Sequence, residues 1–95
     1  MGKGYLIARV RVHNEKCFIK FIELTKCLVN EYGGKVLVRN PTPETKEGEE
    51  LGIATVIEFK NIETARKFYE SEEYTNAKEI RIIEAEINLI LVKGE

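Results

Sequence analysis

The chain has no aspartate, no glutamine and no tryptophan, and only one histidine, His13, and one serine, Ser71. A Ser-His-acid or Cys-His hydrolytic centre would have to be built on His13 and one of very few nucleophiles, so hydrolase chemistry of that kind is a poor fit. His13 itself, at the end of a strand, reads as a strand-terminal or capping residue. Two cysteines and a lone histidine do not supply the several ligands at fixed spacing that a zinc site needs. No GxGxxG or Walker-type loop is present, and no cofactor is expected. Every acid is a glutamate, and the dense run ETKEGEE at 44–50 lacks EF-hand spacing, so it reads as a solvated loop and not a calcium site. No apolar run approaches the roughly 20 residues of a membrane span. The start MGKGYLIARV lacks the apolar core and cleavage site of a signal peptide, and Leu6 stands where a myristoylation signal has Ser or Thr. Lys and Arg total 15 against 16 Glu, with both signs dispersed, which leaves no basic face for nucleic acid. A cytosolic protein is expected, with neither membrane nor nucleic acid as partner.

What is present is one domain's worth of amphipathic elements. A chain of 95 residues, 43% hydrophobic, forms a single domain over 1–95. So small a domain buries only roughly 60–68% of the surface its unfolded chain exposes, and it benefits from a partner. GYLIARVRVH at 4–13 alternates with period two and is a strand; Asn14 caps a helix whose apolar positions Phe18, Phe21, Leu24, Leu28 and Tyr32 recur at three- and four-residue steps until Gly33-Gly34. Cys17 and Cys27 fall in that helix about 15 Å apart along its axis. They cannot form a disulfide with each other, and both read as small buried or half-buried apolar residues. KVLVRN at 35–40 is a second strand closed by Pro41 and Pro43, LGIATVIEF at 51–59 a third, Asn61 caps a second helix, and EAEINLILV at 84–92 is a fourth strand. The order β-α-β-β-α-β is the split βαβ, or ferredoxin-like, arrangement of α+β proteins, with two helices on one face of a four-stranded antiparallel sheet.

Alternation sorts the strands into two faces. The helix side receives Leu6, Ala8, Val10, Val36, Val38, Ile53, Ile57, Phe59, Ile87, Leu89 and Leu91. The opposite side receives Tyr5, Ile7, Arg9, Leu37, Arg39, Ala54, Val56, Glu58, Asn88, Ile90 and Val92. That second set is too apolar for solvent and too polar for an ordinary core. Two such sheets facing each other in a homodimer would bury the aliphatics around a polar cluster of Arg9, Arg39, Glu58 and Asn88.

The stretch FYESEEYTNAKEIR at 68–81 breaks helical phase: apolar residues expected near 72, 76 and 79 arrive instead at Tyr74, Ala77 and Ile80. Ser71 sits at the slip, where its hydroxyl can accept from the first N–H groups of a new helix, and Glu72 and Glu73 put negative charge on that helix's positive end. The reading is helix, break, helix. Tyr69 and Tyr74 then lie at one bend, where they either pack their rings or shape the mouth of a pocket.

GYLIARVRV, EYGGKVLVR, IEF at 57–59 and FYESEEYTNAKEIR, in this order and spacing, resemble domain of unknown function family 1330, in the dimeric α+β barrel superfamily. The resemblance covers nearly the whole chain and implies a homodimeric ferredoxin-like barrel. It brings in Tyr5, Arg39, Glu58, Tyr69, Ser71, Tyr74 and Arg81 as positions that fit the family pattern. The chain departs from that pattern at Asn40-Pro41, where the family tends to have a glycine pair, at Asn14-Glu15, where Asp-Pro is frequent, and at Phe68 and Glu72, where Trp and Pro are frequent. The superfamily spans cofactor-independent monooxygenases, isomerases, haem-degrading enzymes and ligand-binding regulators, so the resemblance implies no particular reaction.

Two functional readings follow. In one, a pocket near Arg39, Glu58 and the Tyr69–Tyr74 break binds or transforms a small carboxylate, phenol or enolate. Arg39 clamps the anion, Glu58 holds Arg39 or moves a proton, and Tyr5, Tyr69, Tyr74, Arg81 and Asn88 complete the polar set. In the other, Arg39 and Glu58 only neutralise each other inside a structural or regulatory dimer that acts through a protein partner. Haem chemistry is disfavoured by the single imidazole.

Overall fold

A computed structural model describes residues 2–95; the side chains of Cys17 and of residues 80–85 lie outside the described residues. Seven elements follow in the order β1 (Gly4–Val12), α1 (Glu15–Glu31), β2 (Lys35–Asn40), β3 (Ile53–Phe59), α2 (Ile62–Glu70), α3 (Glu72–Glu84) and β4 (Ala85–Lys93). The strands form one antiparallel sheet in the order β2-β3-β1-β4, the ferredoxin-like topology, with the second helix of that topology divided in two.

Local chemistry sets the boundaries. Gly33, at φ 69°, takes the left-handed conformation that ends α1. Asn61 Oδ1 accepts from the Thr64 amide at 2.8 Å and starts α2. Ser71 serves both helices at the break: its Oγ donates to the Phe68 carbonyl at 2.8 Å and accepts from the Tyr74 amide at 3.1 Å. It closes α2 and opens α3 in one residue, as the phase slip predicts.

The core lies between the sheet and the helices. Leu6, Ala8 and Val10 of β1 and Ile57 and Phe59 of β3 are buried, and Phe59 meets Phe68 of α2 at a ring separation of 5.2 Å. These are the residues that alternation assigns to the helix side. α2 packs directly on β1, β3 and β4, whereas α1 packs chiefly on α3 and stands further off the sheet.

Three expectations are corrected. On α1 the inward stripe runs through Phe21, Thr25, Leu28 and Val29, leaving Leu24 49% exposed. Phe18, Phe21, Leu28 and Tyr32 face the core as the spacing predicts, and Leu24 alone of that set turns outward. Cys27 is exposed and not a buried apolar residue. The third correction is on β2. Its pairing with β3 runs Val36 opposite Ile57, then Val38 opposite Val56 and Arg39 opposite Thr55, so a β-bulge at Leu37 shifts the register by one residue. A one-residue slip exchanges the two faces. Val38 therefore turns to the open side of the sheet and Arg39 to the helix side, the reverse of strict alternation.

Candidate functional site

Because α1 stands off the sheet, a cavity of about 280 Å³ remains between them. Its floor is the helix side of β1 and β3 at Leu6, Ala8, Val10, Thr55 and Ile57, and α1 supplies Phe21, Thr25 and Val29 above it. Phe68 and Tyr74 contribute an aromatic wall. The Tyr74 ring is 4.9 Å from Phe68 and 6.0 Å, edge on, from Phe21. The exposed members of the lining, Lys26 and Asn30 on α1 and Val36 and Arg39 on β2, mark where the cavity opens. Lys35 also borders it, but its register opposite Glu58 gives its side chain to the other face.

Three polar groups inside the lining differ in how they are satisfied. The Thr25 hydroxyl donates back to the Phe21 carbonyl at 3.0 Å. Thr55 is only 7% exposed as a residue, but its hydroxyl is not among the buried unpaired side-chain atoms and opens onto the cavity. Arg39 pairs with no carboxylate among the described residues, and partial burial pushes its guanidinium below the ordinary arginine value while leaving it a cation near neutrality. Arg39 and Thr55 sit directly opposite each other on adjacent strands, a position from which neighbouring side chains touch. Among the described residues no glutamate and no histidine lines the cavity.

The residues that the sequence groups together are divided by the sheet. Arg39 and Tyr74 reach the cavity, and Tyr74, 4% exposed, is part of its wall. Tyr5, Glu58 and Asn88 lie on the open face instead: the Tyr5 hydroxyl donates to Glu58 Oε2 at 3.3 Å, Lys3 Nζ is 3.9 Å from Glu58 Oε1, and Asn88 sits opposite Arg9. Burial, the Glu58 charge and the hydrogen bond to it together push the Tyr5 phenol above its ordinary value. The expected Arg39–Glu58 pair is not formed, because the bulge puts the two side chains on opposite faces. Tyr69 stacks on Tyr74 at 5.3 Å and carries Lys78 Nζ 4.9 Å over its ring, so it backs the wall without lining it. The Arg81 side chain lies outside the described residues. Thr55, Thr25 and Lys26 are site residues that the sequence reading passes over. The one sign of Thr55 is a hydroxyl between aliphatic neighbours at a position alternation assigns to the core.

A ferredoxin-like α+β sheet with an apolar, cation-rimmed cavity beneath its helices is thus the class that fold and site define. The family model described as "Domain of unknown function (DUF1330)" matches residues 3–95, and the chain belongs to that family. A protein of unknown function from Rhodopseudomonas palustris is similar in fold, at 15% identity and a TM-score of 0.79, over 99% of this chain and 83% of that one. A dimeric ferredoxin-like protein of unknown function from Jannaschia sp. aligns at 10% identity and a TM-score of 0.77, over 96% and 98% of the two chains. SnoaB, a cofactor-independent oxygenase from Streptomyces nogalater, aligns at 9% identity and 0.73, over 100% and 95%. No curated protein matches the sequence. Among the described residues no helix is long and apolar enough to cross a membrane.

Proposed function

We propose that the chain binds a small organic molecule, a carboxylate, phenol or enolate, in the cavity between α1 and the sheet. The observation that carries this reading is the bulge at Leu37. It turns a cation without a carboxylate partner among the described residues toward a largely apolar cavity, beside the Thr55 hydroxyl, which opens onto the same space. Folding alone gains nothing from that placement, since a partly desolvated charge costs stability. A ligand that answers the charge accounts for it. Chemistry at this site would rest on Arg39 holding negative charge on an enolate or phenolate. Among the described residues no glutamate or histidine lines the cavity, so the groups there that could move a proton are Tyr74 and Lys26. The oxygenase activity of SnoaB is consistent with that division of labour but is that protein's own.

The test is a thermal-shift screen against small carboxylates, phenols and quinones. A ligand at 100-fold its dissociation constant adds about 2.7 kcal/mol, which raises the midpoint of so small a domain by on the order of 10 °C. A hit that Arg39→Leu abolishes in a still-folded protein supports the site. Silence across the panel moves the weight to a protein-partner role.

The open sheet face supports a second element of the proposal, a homodimer. Val38, brought there by the bulge, joins Ile7, Val56 and Ile90 in an apolar strip, with Ile90 55% exposed, and Arg9 Nε is buried there without a hydrogen-bond partner among the described residues. A second copy would cover this face, and the Jannaschia protein of similar fold is dimeric. The polar cluster at such an interface would contain Arg9, Glu58, Tyr5 and Asn88, without Arg39.

A further inference from the structure

The cavity's charge and size narrow its ligand beyond a small organic molecule, and this step rests on the binding site proposed above. Its opening carries two cations, Arg39 and Lys26, and no carboxylate among the described residues. That local imbalance stands out in a chain whose net charge is only −1. A neutral occupant would leave the guanidinium partly desolvated with nothing to answer it, and a cationic one would add repulsion to that cost. A carboxylate answers it directly, because its two oxygens match the two-pronged guanidinium donor. Thr55, opposite Arg39 in the ladder, offers a hydroxyl donor alongside.

Size sets the other limit. The cavity measures about 280 Å³, and a dry apolar cavity of about 150 Å³ is enough to hold benzene. One ring with a short arm, or an alkyl chain of comparable bulk, therefore fits. Phe21, Phe68 and Tyr74 provide a ring-lined wall, and ring separations of 4.9 and 6.0 Å within that cluster are those of edge and tilted aromatic packing, which an added aryl group can extend. A second negative charge would have to be desolvated among Leu6, Val10 and Ile57 with no cation there to meet it.

We infer that the cavity takes a monocarboxylate with an aryl or short alkyl body, its head on Arg39 and Thr55 and its body among Phe21, Phe68 and Tyr74. The test titrates phenylacetate, its uncharged counterpart 2-phenylethanol and its cationic counterpart phenethylamine into the labelled protein and follows amide and methyl shifts by NMR. Phenylacetate should shift the resonances of Phe21, Thr55 and Tyr74, bind at least about tenfold more tightly than the alcohol, and exceed the amine further still. Arg39→Met should bring phenylacetate to the level of the alcohol, and Arg39→Lys should retain part of the preference, since it keeps the charge and loses the fork. Equal or tighter binding of the alcohol would overturn the carboxylate assignment and leave the cavity reading intact. Binding of none of the three with shifts at the cavity would overturn both. Phenylacetate binding that shifts residues elsewhere, or that Arg39→Met leaves unchanged, would likewise refute the assignment.

Discussion

Thr55→Val should stabilise the protein while weakening its ligand. Thr55 is buried at the centre of β3, opposite Ala8 on one side and Arg39 on the other. Its hydroxyl has no hydrogen-bond partner among the described residues. A fully buried unpaired polar group costs about 1–3 kcal/mol, and the Thr55 hydroxyl, which opens onto the cavity, falls at or below the low end of that range. Replacing it by a methyl group removes that cost, adds about 0.8 kcal/mol of apolar burial and keeps the β-branched shape that a strand favours. The hydroxyl faces a cavity and retains some solvation, so the low end applies: a gain of about 1 kcal/mol, or a midpoint about 4–8 °C higher for a domain of this size. Thr25→Val is the internal control. Its hydroxyl donates to the Phe21 carbonyl at 3.0 Å, so the same chemical change should cost about 0.5–1 kcal/mol. Urea denaturation followed by circular dichroism measures both, and an unchanged slope shows that the variants differ in stability alone. Opposite signs for the two threonines are expected. If Thr55→Val destabilises by 1 kcal/mol or more, its hydroxyl is satisfied in the folded protein and the case for a group held ready for a ligand fails.

Further outcomes follow from named contacts. Ser71→Ala removes a group that caps one helix and closes another, and should cost about 1–2 kcal/mol in the same urea assay, with the loss concentrated in faster amide exchange across the start of α3. Arg39→Met should leave the urea midpoint unchanged or slightly raised, by no more than about 1 kcal/mol, because the charge it removes has no carboxylate partner among the described residues. Tyr5 should ionise above the ordinary tyrosine value in an alkaline absorbance titration that compares the protein with Tyr5→Phe. Since its folded pKa is raised, its contribution to stability is present below the ordinary tyrosine value and is lost as pH rises through the folded one, and Glu58→Gln should bring its titration back toward that ordinary value. Ile90→Glu places a charge on the open face and should convert the proposed dimer to a monomer in sedimentation velocity at micromolar concentration, whereas a variant that stays as dimeric as the wild type would assign the interface elsewhere.

Where one rule governed a segment, the sequence was readable. β1, β3 and β4 place their core residues as alternation requires, and the phase slip at Ser71 announces the division between α2 and α3. Legibility failed where two arrangements satisfy the same pattern. KVLVRN is apolar at three successive positions, so hydropathy is equally content with either register after Val36, and the bulge that decides between them is fixed by pairing with β3. The site inherited that error. Arg39 and Glu58 look like partners in a period-two reading and lie on opposite faces once one residue is looped out. On α1 the choice between Leu24 and Thr25 turned on how the helix rotates against α3, which no local signal encodes, and so a threonine faces inward while a leucine faces out.

The face on which Arg39 lies is the point from which the cavity, its charge and its ligand all follow. A nuclear Overhauser experiment on uniformly labelled protein reads it directly in solution. With Leu37 bulged, the Arg39 side-chain protons should show cross-peaks to the Thr55 methyl and to Val36 on the helix side, with Val38 close to Val56 on the other. Cross-peaks from Arg39 to Ala54 and Val56 instead, with Val38 against Thr55, would mean an unbroken ladder with Arg39 on the open face, and the cavity would lose its anion-binding group.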